Sequence, residues 1–309
     1  MGFTPEPYDS VTAATWLVCE TCGTQYPTAD RSNVKTCKIC DDPRQFVPPS
    51  GQSFTTLGAL QKTHSNEFIP CVSDPRLVFI SSAPRLAIGQ RAILVQTPNG
   101  NILWDCIPLL DGETIARIEA LGGLKAVVIS HPHFYSSCVQ WARAFRCPVY
   151  LAAEDRQWTT LESAHQVFVT QTETEVEGTG ARAIKLGGHF PGSMVLLFDG
   201  LLLIADTLIT TAAGVGKWDV DATGAAREKP PGLSSFSFLY SIPNSIPLGV
   251  DEMASMWRVL RGYEFRATYG GFEGTDIEDE AVKKLVLDGM QIQARHMGHG
   301  GHALMKETL

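Results

Sequence analysis

The stretch VVISHPHFYSS over 127–137 places His131 and His133 two residues apart, directly after a short apolar run. Residues i and i+2 at a strand end point the same way, so both imidazoles can reach one ion. A third histidine, His189, stands in the loop GGHFPGS over 187–193, where glycines allow a tight turn. Asp206 ends the next apolar stretch. Three imidazoles and a carboxylate form a metal site that keeps a position for water. Zinc there would lower the pKa of water toward neutrality and polarise a carbonyl, which is hydrolytic chemistry. The subset His131, His189 and Asp206 would instead suit non-haem iron and oxygen chemistry. Tyr135 could donate its phenol to a substrate oxyanion, or simply fill space.

Four of the eight cysteines form a second set: Cys19-x-x-Cys22, fourteen intervening residues, then Cys37-x-x-Cys40. Two such knuckles let four thiolates converge tetrahedrally on one ion. All four ligands come from protein, so no position is open and the role is structural. Zinc is the first choice, and iron in a rubredoxin-like site fits the same ligands. Residues 1–50 hold few large apolar groups, so this segment needs a staple in order to fold. Two disulfides in an exported domain are the alternative. They are disfavoured because residues 1–10 show no basic segment followed by an apolar one. Cys71, Cys106, Cys138 and Cys147 lack such spacing, and Cys138 lies on the apolar face of a helix.

These side chains need elements to position them. From about Leu77 strand and helix signals alternate. Residues 91–97 and 101–106 read as a hairpin around Pro98-Asn99-Gly100. A helix from Glu113 to Leu121 carries Ile115, Ile118 and Leu121 on one face and stops at Gly122-Gly123. Buried strands over 126–130 and 148–152 flank a helix from Ser137 to Arg146, with Cys138, Trp141, Ala142 and Phe145 at helical spacing. A second hairpin covers 194–198 and 201–206, around Asp199-Gly200. Met253, Met256, Trp257 and Leu260 mark one helix; Val282, Leu285, Gly289, Ile292 and His296 mark the last. The two hairpins resemble each other, each ending in an aspartate, Asp105 and Asp206. Hairpin-linked sheets flanked by helices predict an α/β fold, a four-layer αββα sandwich. Residues 210–231 read as a loop or lid, and 241–248 as an irregular connection. The expected division is a cysteine module with its linker over 1–70 and one large domain over 71–309.

The run His131-Pro132-His133, the loop around His189 and the strand end at Asp206 resemble the metallo-β-lactamase-fold superfamily, over roughly residues 80–300. The resemblance implies the same αββα sandwich. It carries metal-ligand roles to His131, His133, His189 and Asp206, the last of which bridges two metals in that family. The family pattern His-x-His-x-Asp-His would need Asp and His where this chain has Tyr135 and Ser136. Tyr269 stands where the last family histidine is expected. The second metal site is therefore expected to be lost, leaving three histidines completed by Asp206 or water. The His-Pro-His-Phe-Tyr run with an N-terminal cysteine module resembles a divergent branch of the superfamily.

At 309 residues, 44% apolar and 19% charged, the chain has globular composition and room for about two domains. Lys+Arg number 25 against 33 Asp+Glu, and the net charge of −8 disfavours nucleic acid as a partner. The longest apolar stretch, 194–205, is broken by Asp199-Gly200 and is too short to span a membrane. A cytoplasmic protein acting on a small organic molecule is expected, and a homodimer is compatible with the acidic surface. The expected reaction is hydrolysis of an ester, lactone, thioester or amide. The alternatives are an iron oxygenase, similar to the persulfide dioxygenase branch, and an inactive scaffold whose cysteine module binds a partner. Trp218, Phe236, Phe238 and Tyr240 could wall a substrate site or pack the core. His296, on the apolar face of the last helix, and His299 and His302 in the tail are expected to lie outside any metal site. His64 and His165 are expected as surface or core groups.

Overall fold

Period-two burial along the strands decides the layering. The computed structural model describes residues 4–309. Strand Arg91–Val95 sends Ala92 and Leu94 to one side and Ile93 and Val95 to the other. Strands Ile102–Trp104, Ala126–Val128 and Val149–Ala152 divide their residues in the same way. Strands apolar on both faces must be covered on both faces.

The first sheet has seven strands, ordered Gln166–Val169, Val149–Ala152, Ala126–Val128, Ile102–Trp104, Arg91–Val95, Leu77–Ala83 and Ser65–Pro70. The first four pair in parallel and the last four antiparallel. The second sheet has six: Glu173–Glu175, Arg182–Lys185, Met194–Phe198, Leu201–Leu203, Ala267–Tyr269 and Ile277–Glu278. Between the sheets, Met194, Leu196, Leu201 and Leu203 meet Ile93, Val95, Ile102 and Trp104. Helices Gly112–Ala120 and Cys138–Phe145 cover the first sheet through Ile118, Trp141 and Phe145. Helices Val250–Leu260 and Val282–His296 cover the second through Met256, Trp257, Val286 and Met290. Helix, sheet, sheet and helix make the expected four layers.

The cysteine module has its own three-stranded sheet, Gln25–Tyr26, Leu17–Cys19 and Phe54–Thr56. Strand Ser65–Pro70, on the module side of the division expected at residue 70, pairs with Leu77–Ala83 of the large sheet. Residues 241–248 are less irregular than expected, because Leu239–Ser241 pairs with Ile246–Pro247. Phe236 and Phe238 do not wall a substrate site: both are buried beneath the helices of the second sheet. Trp218 donates its indole N–H to the Ala213 carbonyl. His296 is exposed rather than on the apolar face, which Met290 and Ala294 fill. Among the described residues no helix is long and apolar enough to cross a membrane.

Candidate metal centre

The strand before the histidines ends at Val128. His131 remains extended, and Pro132 then opens a single 3-10 turn, Pro132–Phe134. The two imidazoles therefore converge through a turn and not through strand alternation. Asp105, at the end of the first hairpin, reaches under this turn. Its Oδ1 accepts from the Ser130 N–H at 2.7 Å and its Oδ2 from Ser130 Oγ at 3.0 Å. Ser130 Oγ in turn lies 2.9 Å from His131 Nδ1. This relay orients the ring and directs Nε2 inward, as outer-shell partners of metal-binding histidines do. Burial pushes Asp105 up to about 7, against the lowering effect of the Ser130 hydrogen bonds and His131.

His189 is held from both sides of its loop. Its Nδ1 donates to the Leu239 carbonyl at 3.0 Å, so Nε2 carries the lone pair that faces the centre. Its N–H donates to Thr207 Oγ1, which itself donates to the Gly187 carbonyl at 2.5 Å. Gly188 has φ +86°, and a Cβ there would sit 2.5 Å from Thr207 Oγ1, so only glycine fits. Gly192 donates its N–H to Asp155 Oδ2 at 3.2 Å, and a Cβ there would lie 2.3 Å from Ala152 Cβ.

His131, His133, His189 and Asp206 bring four donor atoms within 4.8 Å of one another. Asp206 Oδ2 is 3.2 Å from His131 Nε2, 3.3 Å from His133 Nδ1 and 3.9 Å from His189 Nε2. His189 Nε2 is 3.3 Å from His133 Nδ1. Four ligands at about 2.0–2.1 Å from one ion stand about 3.3–3.4 Å apart in a tetrahedron. Three of the four distances match such edges and the Asp206–His189 separation exceeds them, so the histidines can hold one ion with the carboxylate at its side. Burial pushes His133 down to about 4 and His189 to about 3, which leaves both rings neutral and able to ligate at pH 7. Burial alone would raise the Asp206 carboxyl. His131 and the ring hydrogen bonds outweigh it and hold the group well below the usual range.

The four cysteines form the other cluster. Cys19 Sγ lies 3.7 Å from Cys40 Sγ, and Cys22 Sγ 3.6 Å from Cys37 Sγ. Zinc–sulfur bonds of about 2.3 Å give tetrahedral edges of about 3.8 Å, so this set also fits one ion. Tyr26 donates its hydroxyl to Cys37 Sγ at 3.2 Å.

Tyr135 is buried, directly after the 132–134 turn. Its hydroxyl donates to the Asp155 carbonyl at 3.3 Å, and the side chain borders a cavity of about 20 Å³ beside the cysteine module. That bond engages the hydroxyl expected to face a substrate oxyanion. Ser136, with φ +43°, donates its hydroxyl to the Gly23 carbonyl, and its own carbonyl accepts from the Gln25 N–H. Tyr269 lies between the sheets with its hydroxyl on Glu278. The positions that would serve a second metal are thus used for docking the module and for core packing. Burial raises the Cys138 thiol to about 12 within the first core. His302 pairs with Asp251, His64 with Thr63, and buried His165 accepts from the Glu6 N–H. Sequence reasoning missed Ser130, Thr207, Asp155 and Arg44. It named Asp105 only as a matching hairpin end, the one signal available.

No protein-family model matches the chain. It is 35% identical over 278 residues to "Uncharacterized protein YmaE" of Bacillus subtilis (strain 168), covering 87% of this chain and 93% of that protein. The chain belongs to the YmaE family. This YmaE-family chain is also 24% identical over 159 residues to "Probable metallo-hydrolase MJ0888" of Methanocaldococcus jannaschii, covering 45% of this chain and 72% of that protein. Among solved structures it is similar to DIM-1 metallo-beta-lactamase, with a TM-score of 0.51 at 13% identity over 75% of this chain and 98% of that one. The structure of VMB-1 gives 0.50 at 16% identity, with the same coverage. The YmaE-family chain has the metallo-β-lactamase fold with an added four-cysteine module.

Proposed function

We propose that this YmaE-family protein is a hydrolase with one catalytic metal, held by His131, His133, His189 and Asp206. A structural metal is held by Cys19, Cys22, Cys37 and Cys40. The observation that carries this reading is the convergence of three imidazole nitrogens and one carboxylate oxygen at the spacing of a single ion. The likeness to a protein named as a metallo-hydrolase supports it. Zinc is the first choice at both sites; in the large domain it would supply Lewis acidity toward a carbonyl and toward water.

The chain's own residues do the rest. Asp105 and Ser130 lock the His131 ring, while Leu239 and Thr207 lock His189. Asp206, as a carboxylate, orients an attacking water by accepting its hydrogen bond. Phe134 and Phe190 pack 5.2 and 5.6 Å from the His131 ring, and these apolar surroundings of the imidazoles favour a small neutral ester, lactone, thioester or amide over a polyanion. Metal analysis of the wild type and of His131→Ala/His133→Ala tests the reading. Two zinc per chain falling to one, with loss of ester or lactone turnover, is expected. Iron in the lost position would favour an oxygenase, and one metal in both proteins would favour a scaffold.

A further inference from the structure

The cysteine module and the His/Asp centre meet at one strap. Residues 41–45 follow directly on Cys40, and the Asp41 N–H returns to the Cys37 carbonyl at 3.0 Å. Arg44 and Asp42 form a two-point ion pair, Nε to Oδ1 at 2.6 Å and Nη2 to Oδ2 at 2.8 Å. Both side chains face inward, 12% and 11% exposed, while Pro43 faces solvent. Arg44 Nη1 donates to the His189 carbonyl at 3.2 Å. Its guanidinium carbon lies 3.7 Å from the centre of the Phe190 ring. That ring stands 5.0 Å from His133 and 5.2 Å from His189. The outer edge of the strap is latched, because the Pro43 carbonyl accepts from Ser241 Oγ at 2.6 Å and Asn244 Nδ2 at 2.9 Å.

We infer that this strap is a door over the metal centre, and that metal in the cysteine cluster keeps it seated. The inference rests on the metal-binding reading of both clusters. His131, His133, His189 and Asp206 are only 0–4% exposed, so a substrate needs an opening. The strap is held by a few polar contacts and by cation–π contacts of Arg44 with Phe190, Trp158 and Tyr240, each modest, and such segments open locally without global unfolding. One end is tied to Cys40, whose buried neighbours are the other three cysteines and Ile39, with half-buried Tyr26, Phe54 and Trp158 against them, rather than a large apolar core. Without the ion that draws the thiolates together, Cys40 loosens and the strap loses its hinge. The occupancy of one metal site thereby sets access to the other.

The test uses the full-length protein loaded with cobalt(II), whose thiolate-bound ion is distinguished by its near-ultraviolet charge-transfer band. The measured quantity is the rate at which dipicolinate extracts the ion from the His/Asp centre. Arg44→Ala and the latch variant Ser241→Ala/Asn244→Ala leave every proposed ligand intact. Each is expected to release that ion about tenfold faster than wild type, with Arg44→Lys in between. Cys37→Ser is expected to accelerate release at least as much. Rates within about twofold of wild type in both Arg44→Ala and the latch variant overturn the door. A wild-type rate in Cys37→Ser overturns the role of the cysteine metal. A wild-type protein holding one metal per chain instead overturns the metal-binding reading, and this inference with it.

Discussion

The two clusters are built in opposite ways. The cysteine cluster takes all its ligands from 19–40, one stretch of chain, and its buried neighbours are chiefly the ligands themselves and Ile39. The His/Asp centre takes its ligands from 131–133, 189 and 206, which stand in turns and loops following strands of two packed sheets. In the first, an ion held by the thiolates would supply folding energy to a segment poor in apolar surface. In the second, sheets and outer hydrogen bonds hold the donors in place before any ion arrives. A metal can be a staple or a guest, and the depth of core behind it decides which.

Cutting the staple is the strongest way to break this comparison. Metal binding to such a cluster is worth on the order of 10 kcal/mol, so Cys37→Ser should unfold the module. Hydrogen exchange should show protection lost over 16–56 and retained in the strands of both large sheets. Equal loss in both regions would mean that the sheets also depend on the cysteine ion.

The guest site should respond through its supports. Asp105→Ala removes the acceptor for Ser130 and should weaken metal binding by His131 and its partners roughly 10–100-fold. Competition with a chromophoric chelator would measure this, with the cysteine cluster unchanged. Gly192→Ala drives a Cβ into Ala152 and should cost about 1–3 kcal/mol in denaturant unfolding. Gly300→Ala, where a Cβ meets nothing within 4 Å, is the neutral control.

The smallest effect concerns how the N-terminal segment is tied to the large domain. Glu6 accepts from the Ala164 N–H at 2.7 Å and Ser163 Oγ at 2.8 Å, and pairs with Arg143. Burial acts to raise its carboxyl, yet these partners outweigh it and hold the group near 2, below its ordinary 4.5. A depressed carboxyl contributes stability that is complete above about pH 4.5 and is lost as the pH falls toward about 2. Glu6→Gln should therefore flatten the thermal midpoint against pH within that window, and an unchanged slope would place the acid sensitivity elsewhere.

Much of the candidate site was legible because its signals are short. His-x-His, the glycine-flanked His189 and the two Cys-x-x-Cys pairs each lie within one turn of chain. The hairpins and their Asp ends were equally visible. The place of Asp206 among the donors was read too, but not that Asp105 lies one relay behind His131. Nor was the partner of Tyr135, whose hydroxyl bonds to the Asp155 carbonyl. Phe236 and Phe238 alternate as strand residues should, but only the helices above them make that face a core.

The sequence by itself determined the two candidate sets of metal-ligating residues and the four layers, because spacing and period act between near neighbours. The tertiary structure alone decided that Ser136 docks the module, that Asp105 supports His131 and that Arg44 lies on Phe190. Those contacts join segments tens to more than a hundred residues apart. Their cost is loop closure and desolvation, so they exist only where the packed sheets have already brought the partners together.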